Sequence, residues 1–257
     1  MKKLSSQALW THFSLVLWWR FATFAKNLRR WAAIYASINL NLKISNSQFI
    51  ENSIDSQNAF GLGGAIYING NLTVDKSIFD KNVATSKNNL SIGSAIAAGG
   101  NNTQILINNT EIKNGESQRA AVYIWRSNAF IDNTTFTNNK ARWNGGALQY
   151  YNGNTESNIL TIINSAFTGN TANNGGAMYG EFSVVNCSFL GNSASQVGGA
   201  VYSRDGECSV VGCNFVGNSA RYDGGAVYSS DGECSVVGCS FVGNSARYDG
   251  GAVYSSD

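Results

Sequence analysis

Proline is absent from all 257 residues, charged residues make up only 13%, and there is a single histidine, His12. Each shortage closes a class of function. One histidine near the N-terminus cannot supply acid–base or triad chemistry to the remainder of the chain. None of the five cysteines (Cys187, Cys208, Cys213, Cys234 and Cys239) lies in a Cys-x-x-Cys pair, which removes the usual zinc frameworks. A net charge of +2 creates no field that would attract nucleic acid or anionic lipid. What is abundant is glycine, at 28 residues, with much Asn, Ser and Thr. Such a composition favours disorder when it is aperiodic. Here it is periodic, and periodicity means a repeat architecture.

One eight-residue unit recurs: LKISNSQF (42–49), LTVDKSIF (72–79), ILINNTEI (105–112), AFIDNTTF (129–136), LTIINSAF (160–167), FSVVNCSF (182–189), CSVVGCNF (208–215) and CSVVGCSF (234–241). We number these units as rungs 1 to 8. Positions one and three are apolar, as in Leu72 and Val74, and share one face of a strand. Position six is small (Ser47 through Cys239) and position eight is Phe in every rung but the third, which has Ile112. The phase breaks between positions three and six, so a bend belongs at four and five, where Asn, Asp, Gly and Lys collect. Three residues after the Phe column stands an Asn (52, 82, 139, 170, 192, 218 and 244), replaced in rung 3 by Gly115. Asn tolerates left-handed turns, and stacked amides can bond along an axis.

A second block follows each octet: GGAIY (63–67), GSAIA (93–97), RAAVY (119–123), GGALQ (145–149), GGAMY (175–179) and three copies of GGAVY (198–202, 224–228, 250–254). Its aliphatic fourth position points inward and its fifth outward. Each repeat is too small to bury its own apolar face, whereas parallel stacking at about 4.8 Å builds a continuous core. The expected fold is all-β: a right-handed single-stranded parallel β-helix, or solenoid, of about eight rungs over residues 41–257.

Residues 1–40 read differently. They hold Trp10, Trp18, Trp19 and Trp31 with six Lys and Arg, and no Gly or Pro interrupts Ala8 to Ile38. A helical segment is expected there, serving as a signal peptide, a membrane anchor or a cap on the rod. Membrane contact, if any, belongs to this segment.

The pairing of FxxN with GGA(I/L/V) resembles the chlamydial polymorphic outer-membrane protein repeat. Phe79-Asp80-Lys81-Asn82, Phe136-Thr137-Asn138-Asn139, Phe189-Leu190-Gly191-Asn192, Gly63-Gly64-Ala65-Ile66 and Gly224-Gly225-Ala226-Val227 carry the likeness, which spans roughly residues 42–257. The resemblance implies an adhesin-like protein, similar to autotransporter passengers, displayed at the cell surface, on the outer membrane or in secreted form. Its partner would be a protein or glycan on a host or neighbouring cell.

Chemistry is harder to find. The C-terminal carboxylates Asp205, Glu207, Asp223, Asp231, Glu233 and Asp249 recur rung after rung, whereas an active site breaks symmetry. No catalytic residue, metal or cofactor is expected, although calcium at the stacked Asp205, Asp231 and Asp257 loops is a competing reading. Cysteines of one column have parallel Cβ vectors, so free buried thiols are expected. The sequons at Asn71, Asn89, Asn101, Asn108, Asn133 and Asn186 are the yield of an Asn-rich chain. The outward Tyr column (Tyr67, Tyr123, Tyr179, Tyr202, Tyr228 and Tyr254) is the binding candidate, competing with plain cross-rung aromatic packing. Asp205–Ser230 and Asp231–Ser256 differ only at Asn214 versus Ser240, a recent tandem duplication, and the rung edge after them invites end-to-end self-association. A non-enzymatic adhesin-like scaffold is the leading expectation. A carbohydrate-active β-helix enzyme and a purely structural self-associating module are the alternatives.

Overall fold

The computed structural model describes residues 19–20, 23–25, 32–57, 60–88, 90–153, 159–204 and 208–256. The chain coils into an all-β parallel solenoid of the right-handed type with about eight turns. Among the described residues its three sheets have 14, nine and eight strands. The largest collects the GGAxY block and the front of each octet, and in rung 2 the two run together as one strand, Ile66–Asp75. The second sheet holds the short Phe strands such as Gln48–Ile50, and the third holds the strands after the Asn column such as Ser53–Ser56. All pairings are parallel and join each rung to the next, as in Val210↔Val236 and Phe215↔Phe241.

The corners follow from local backbone chemistry. Octet position five is left-handed in every rung, from Asn46 (φ 49°) to Gly238 (φ 63°), and so is the second residue after the Phe column, from Glu51 to Gly243. Asn and Gly dominate both sites because they reach this region at least cost. The second Gly of the GGA block has a different reason. A Cβ on Gly199 would lie 2.0 Å from the Gly225 carbonyl oxygen, so the rungs can approach only without a side chain there.

The interior is a bundle of ladders. The Phe rings stack nearly parallel at 4.7–4.9 Å between centroids along Phe136, Phe167, Phe189, Phe215 and Phe241. Ile112 interrupts the series above Phe136, and Phe49 stacks on Phe79 beyond it. Beside them runs a buried amide ladder. Asn170 Nδ2 donates to Asn192 Oδ1 (3.0 Å) and to the Phe136 carbonyl (3.0 Å), while the Asn170 backbone N–H also donates to Asn192 Oδ1 (2.9 Å). Asn139, Asn192 and Asn218 repeat the arrangement. A third ladder uses position six. Ser165 Oγ donates to the Ile163 carbonyl and accepts from the Thr134 backbone N–H, and Cys187 and Cys213 take the same place with sulfur.

Rung 3 breaks two rules together. Gly115 stands in the Asn column, and Ser94 stands where the second Gly of a GGA block belongs. Ser94 Oγ occupies the vacated space: a Cβ on Gly115 would lie 2.3 Å from it.

Two expectations need correction. Among the described residues of the N-terminal segment no helix is found: Trp19–Arg20, Thr23–Ala25 and Ile34–Ser45 are strands. They pair in parallel with rungs 1 and 2 as Trp19↔Ile44, Phe24↔Phe49, and Ile34↔Ile66 with Tyr35↔Tyr67. Absence of Gly and Pro allows a helix, but Trp, Phe and Ile suit strands, and stacking on a neighbouring rung decides the matter. The sequence carried the sign. Leu17-Trp18-Trp19-Arg20-Phe21-Ala22-Thr23-Phe24 fits the octet, Asn27 follows three residues later, and Trp31-Ala32-Ala33-Ile34-Tyr35 fits the second block. The signal or anchor reading of residues 1–18 falls outside the described residues. The second correction concerns sulfur. Cys208 and Cys234 form a disulfide across rungs 7 and 8, their Cα atoms 4.4 Å apart, whereas Cys187, Cys213 and Cys239 are free thiols. Strand pairing brings Cys208 and Cys234 within bonding reach despite their parallel Cβ directions.

Candidate functional site

The outer face of the largest sheet carries the candidate site. Outward positions alternate with core positions along each strand, so Ile66 and Ile68 are buried while Tyr67 and Asn69 face out. The six tyrosines of the column, Tyr67, Tyr123, Tyr179, Tyr202, Tyr228 and Tyr254, are half-buried rather than open. They pack on one another. Tyr179 and Tyr202, and then Tyr202 and Tyr228, meet edge to face at 5.0 and 4.9 Å, and Tyr228 stacks on Tyr254 at 5.4 Å. Their hydroxyls reach neighbouring serines, Tyr202 to Ser230 and Tyr228 to Ser256. Burial raises the pKa of Tyr67, Tyr123 and Tyr202 above the ordinary phenol value, so these groups stay neutral donors.

The column is split into two groups. Ala97 in rung 3 and the buried Gln149 interrupt it, which leaves Tyr179 to Tyr254 at one end and Tyr67 and Tyr123 at the other. Two aromatic residues absent from the expected column complete the second group. Tyr35, contributed by the N-terminal segment, stacks on Tyr67 at 4.9 Å. Trp125 lies over the bare Gly99 backbone of the neighbouring strand, 5.9 Å from Tyr67 and 6.2 Å from Tyr123. Tyr35 was readable from its Ile34↔Ile66 alignment. Trp125 was signalled only by the two-residue step from Tyr123 and by the missing side chains at Ala97 and Gly99.

A separate aromatic feature sits at the corner before the GGA blocks. Tyr222 and Tyr248 stack at 5.6 Å, with the Arg221 and Arg247 guanidiniums 5.4 and 5.8 Å from their respective rings. Arg142 takes the same position over Trp143.

Among the described residues, the repeated carboxylates do not converge. Asp223 Oδ1 accepts from the Asp249 backbone N–H, an ordinary loop contact between rungs. Asp205, Glu207 and Asp257 fall outside the described residues, so the stacked-Asp calcium reading lies there too. Among the described residues, no group of three or more His, Cys, Asp or Glu is placed to hold a metal ion.

With this geometry established, comparison with known proteins is informative. The Chlamydia polymorphic membrane protein (Chlamydia_PMP) repeat matches four times, over residues 133–149, 186–204, 212–230 and 238–256. Each match opens at the left-handed residue of an octet or just beside it, and the last three close beyond the outward Tyr. No curated protein matches the chain. The four matched segments fall in register on a parallel solenoid and are Pmp-like repeats.

Proposed function

We propose that this protein is an adhesin-like rod, displayed at a cell surface, on an outer membrane or in secreted form, which binds a partner along its flank without turning it over. The aromatic face of the largest sheet carries the reading. It places half-exposed rings at rung spacing along one side of a rigid scaffold, an arrangement suited to repeated weak contacts with an extended surface. The family repeat supports a surface location. The partner is a protein or glycan on a host or neighbouring cell.

The test is binding of the labelled full chain to intact cells, compared with a variant carrying Tyr35→Ser, Tyr67→Ser, Trp125→Ser, Tyr202→Ser and Tyr228→Ser. The variant is expected to lose at least tenfold in bound signal at equal concentration. Undiminished binding, or turnover of an offered uronic-acid polymer by the native chain, would defeat the proposal.

A further inference from the structure

The flank is not chemically uniform, and its N-terminal half holds a composite surface that the repeat alone does not build. Resting on the flank-binding reading above, we infer that rungs 1 to 4 form a site for a neutral oligosaccharide, with Trp125 as its floor and the amides of Asn71, Asn101 and Asn102 as its wall.

The floor exists because rung 3 lacks side chains where its neighbours have rings. Ala97 and Gly99 open a trough between Tyr67 and Tyr123, and the Trp125 indole crosses one rung to lie in it. A Cβ on Gly99 would come within 2.6 Å of the indole, so the ring rests directly on backbone. Trp125 remains half-exposed, and Tyr35 and Tyr67 extend the aromatic surface.

The wall follows immediately along the same strand. Pairing between the Ile66–Asp75 and Ile96–Asn108 strands shifts register after Asn69, where Gly100, Asn101 and Asn102 bulge outward. The bulge and the neighbouring strand line a cleft of about 310 Å3 with Gly70, Asn71, Asn101, Asn102 and Thr103. That is near the lower end of the roughly 300–1,000 Å3 of small-molecule clefts and suits one sugar ring with its neighbour outside. Asn102 is held left-handed (φ 58°), and the Asn101 and Asn102 side chains are exposed. Asn71 is already oriented: its Nδ2 donates to Asn41 Oδ1 (2.6 Å) and its Oδ1 accepts from the Gln104 backbone N–H (2.7 Å). Beneath the bulge the scaffold is fixed by buried contacts among Thr103, Ser127 and the Gly100 carbonyl, with the Tyr150 hydroxyl donating to the Ser127 carbonyl.

The chemistry selects the ligand class. A pyranose presents an apolar C–H face, which an indole covers, and a rim of hydroxyls, each both donor and acceptor, which side-chain amides match. Charge argues for a neutral sugar: Ile96–Asn108 has no charged residue, Ile66–Asp75 has only its final Asp75, and Val122–Asp132, which carries Trp125, has one of each sign, Arg126 and Asp132. An extended peptide adding to a sheet needs an open strand edge. Here the backbones are already paired on both sides, and only a face is offered.

The test titrates the full chain with neutral tetrasaccharides of glucose, galactose and N-acetylglucosamine, beside a sulfated uronic tetrasaccharide. At least one neutral probe is expected to bind with at least tenfold preference over the sulfated one. Trp125→Ala should weaken it tenfold or more, and Asn102→Gly, which removes the exposed amide and suits the left-handed backbone there, threefold or more. Val216→Ser, on the outside of the second sheet, should leave it unchanged. Failure of every neutral probe, preference for the sulfated one, or indifference to both Trp125→Ala and Asn102→Gly overturns the inference. Cell binding separates the two levels: native adhesion that survives both variants sinks this site and leaves the adhesin reading, whereas absence of native adhesion sinks that reading.

Discussion

At the scale of single residues, the rod is held by side chains that bond the same way in every rung. A buried amide that satisfies one backbone N–H and one carbonyl, and is itself satisfied by the next amide, leaves no polar group stranded. The exception at rung 3 tests that logic. Asn82 Nδ2 keeps its bond to the Phe49 carbonyl at 2.9 Å but meets Gly115 where an Oδ1 would be, and Ser94 Oγ is buried with no hydrogen-bond partner among the described residues. Gly115→Asn alone should therefore destabilise by about 1–3 kcal/mol through crowding against Ser94. Combined with Ser94→Gly it should recover that loss and exceed the native stability, because the amide ladder becomes continuous. Denaturant midpoints of the four proteins decide the point, and simple additivity of the two changes would count against it.

At the scale of elements, each strand is only two to four residues long in most of the rod, and its stability comes from its neighbours. The Cys208–Cys234 bridge ties two such neighbours over 26 residues of chain, a loop whose closure is worth about 3 kcal/mol by chain-entropy arguments. A reducing agent should lower the unfolding midpoint of the native protein and leave the Cys208→Ser/Cys234→Ser protein unmoved. Equal shifts in both would assign the effect elsewhere. The elements were legible in the sequence where a column repeats. The Phe column, the Asn column and the bend at octet position five can each be read down the alignment, and each stands where the phase of the apolar residues requires. The leading rung is hidden in the sequence, because the Trp and Arg residues around Leu17–Phe24 give an otherwise regular octet a contrasting composition. The disulfide is hidden for another reason: it depends on how closely the paired strands bring the Cys208 and Cys234 Cα atoms, which are 4.4 Å apart. Trp125 is legible only from what its neighbours lack, since Gly99 and Ala97 matter through the space they leave.

At the scale of the whole molecule, strand pairing joins only adjacent rungs, so stability should be distributed along the axis rather than concentrated in one nucleus. Asn192→Ala breaks the ladder at rung 6: it strands the Asn170 backbone N–H, leaves Asn170 Nδ2 only its bond to the Phe136 carbonyl, and removes the donor to the Phe167 carbonyl. A loss of about 2–5 kcal/mol is expected from groups left unsatisfied in the interior. It should appear in hydrogen exchange as rungs 7 and 8 opening separately from rungs 1 to 5. Uniform loss of protection along the rod would show instead that the molecule unfolds as one cooperative unit.

The two near-identical 26-residue units at Asp205–Ser230 and Asp231–Ser256 lie in matched register over their described strands, each residue upon its copy, as in Cys208↔Cys234, Phe215↔Phe241 and Tyr228↔Tyr254. A unit that presents the same surface on top as it accepts beneath can be copied within the gene without any compensating change elsewhere. Length then becomes a quantity that recombination can tune by whole increments. Each insertion would carry whatever lies beyond it outward by about 4.8 Å, so the reach of this protein is a count of copies.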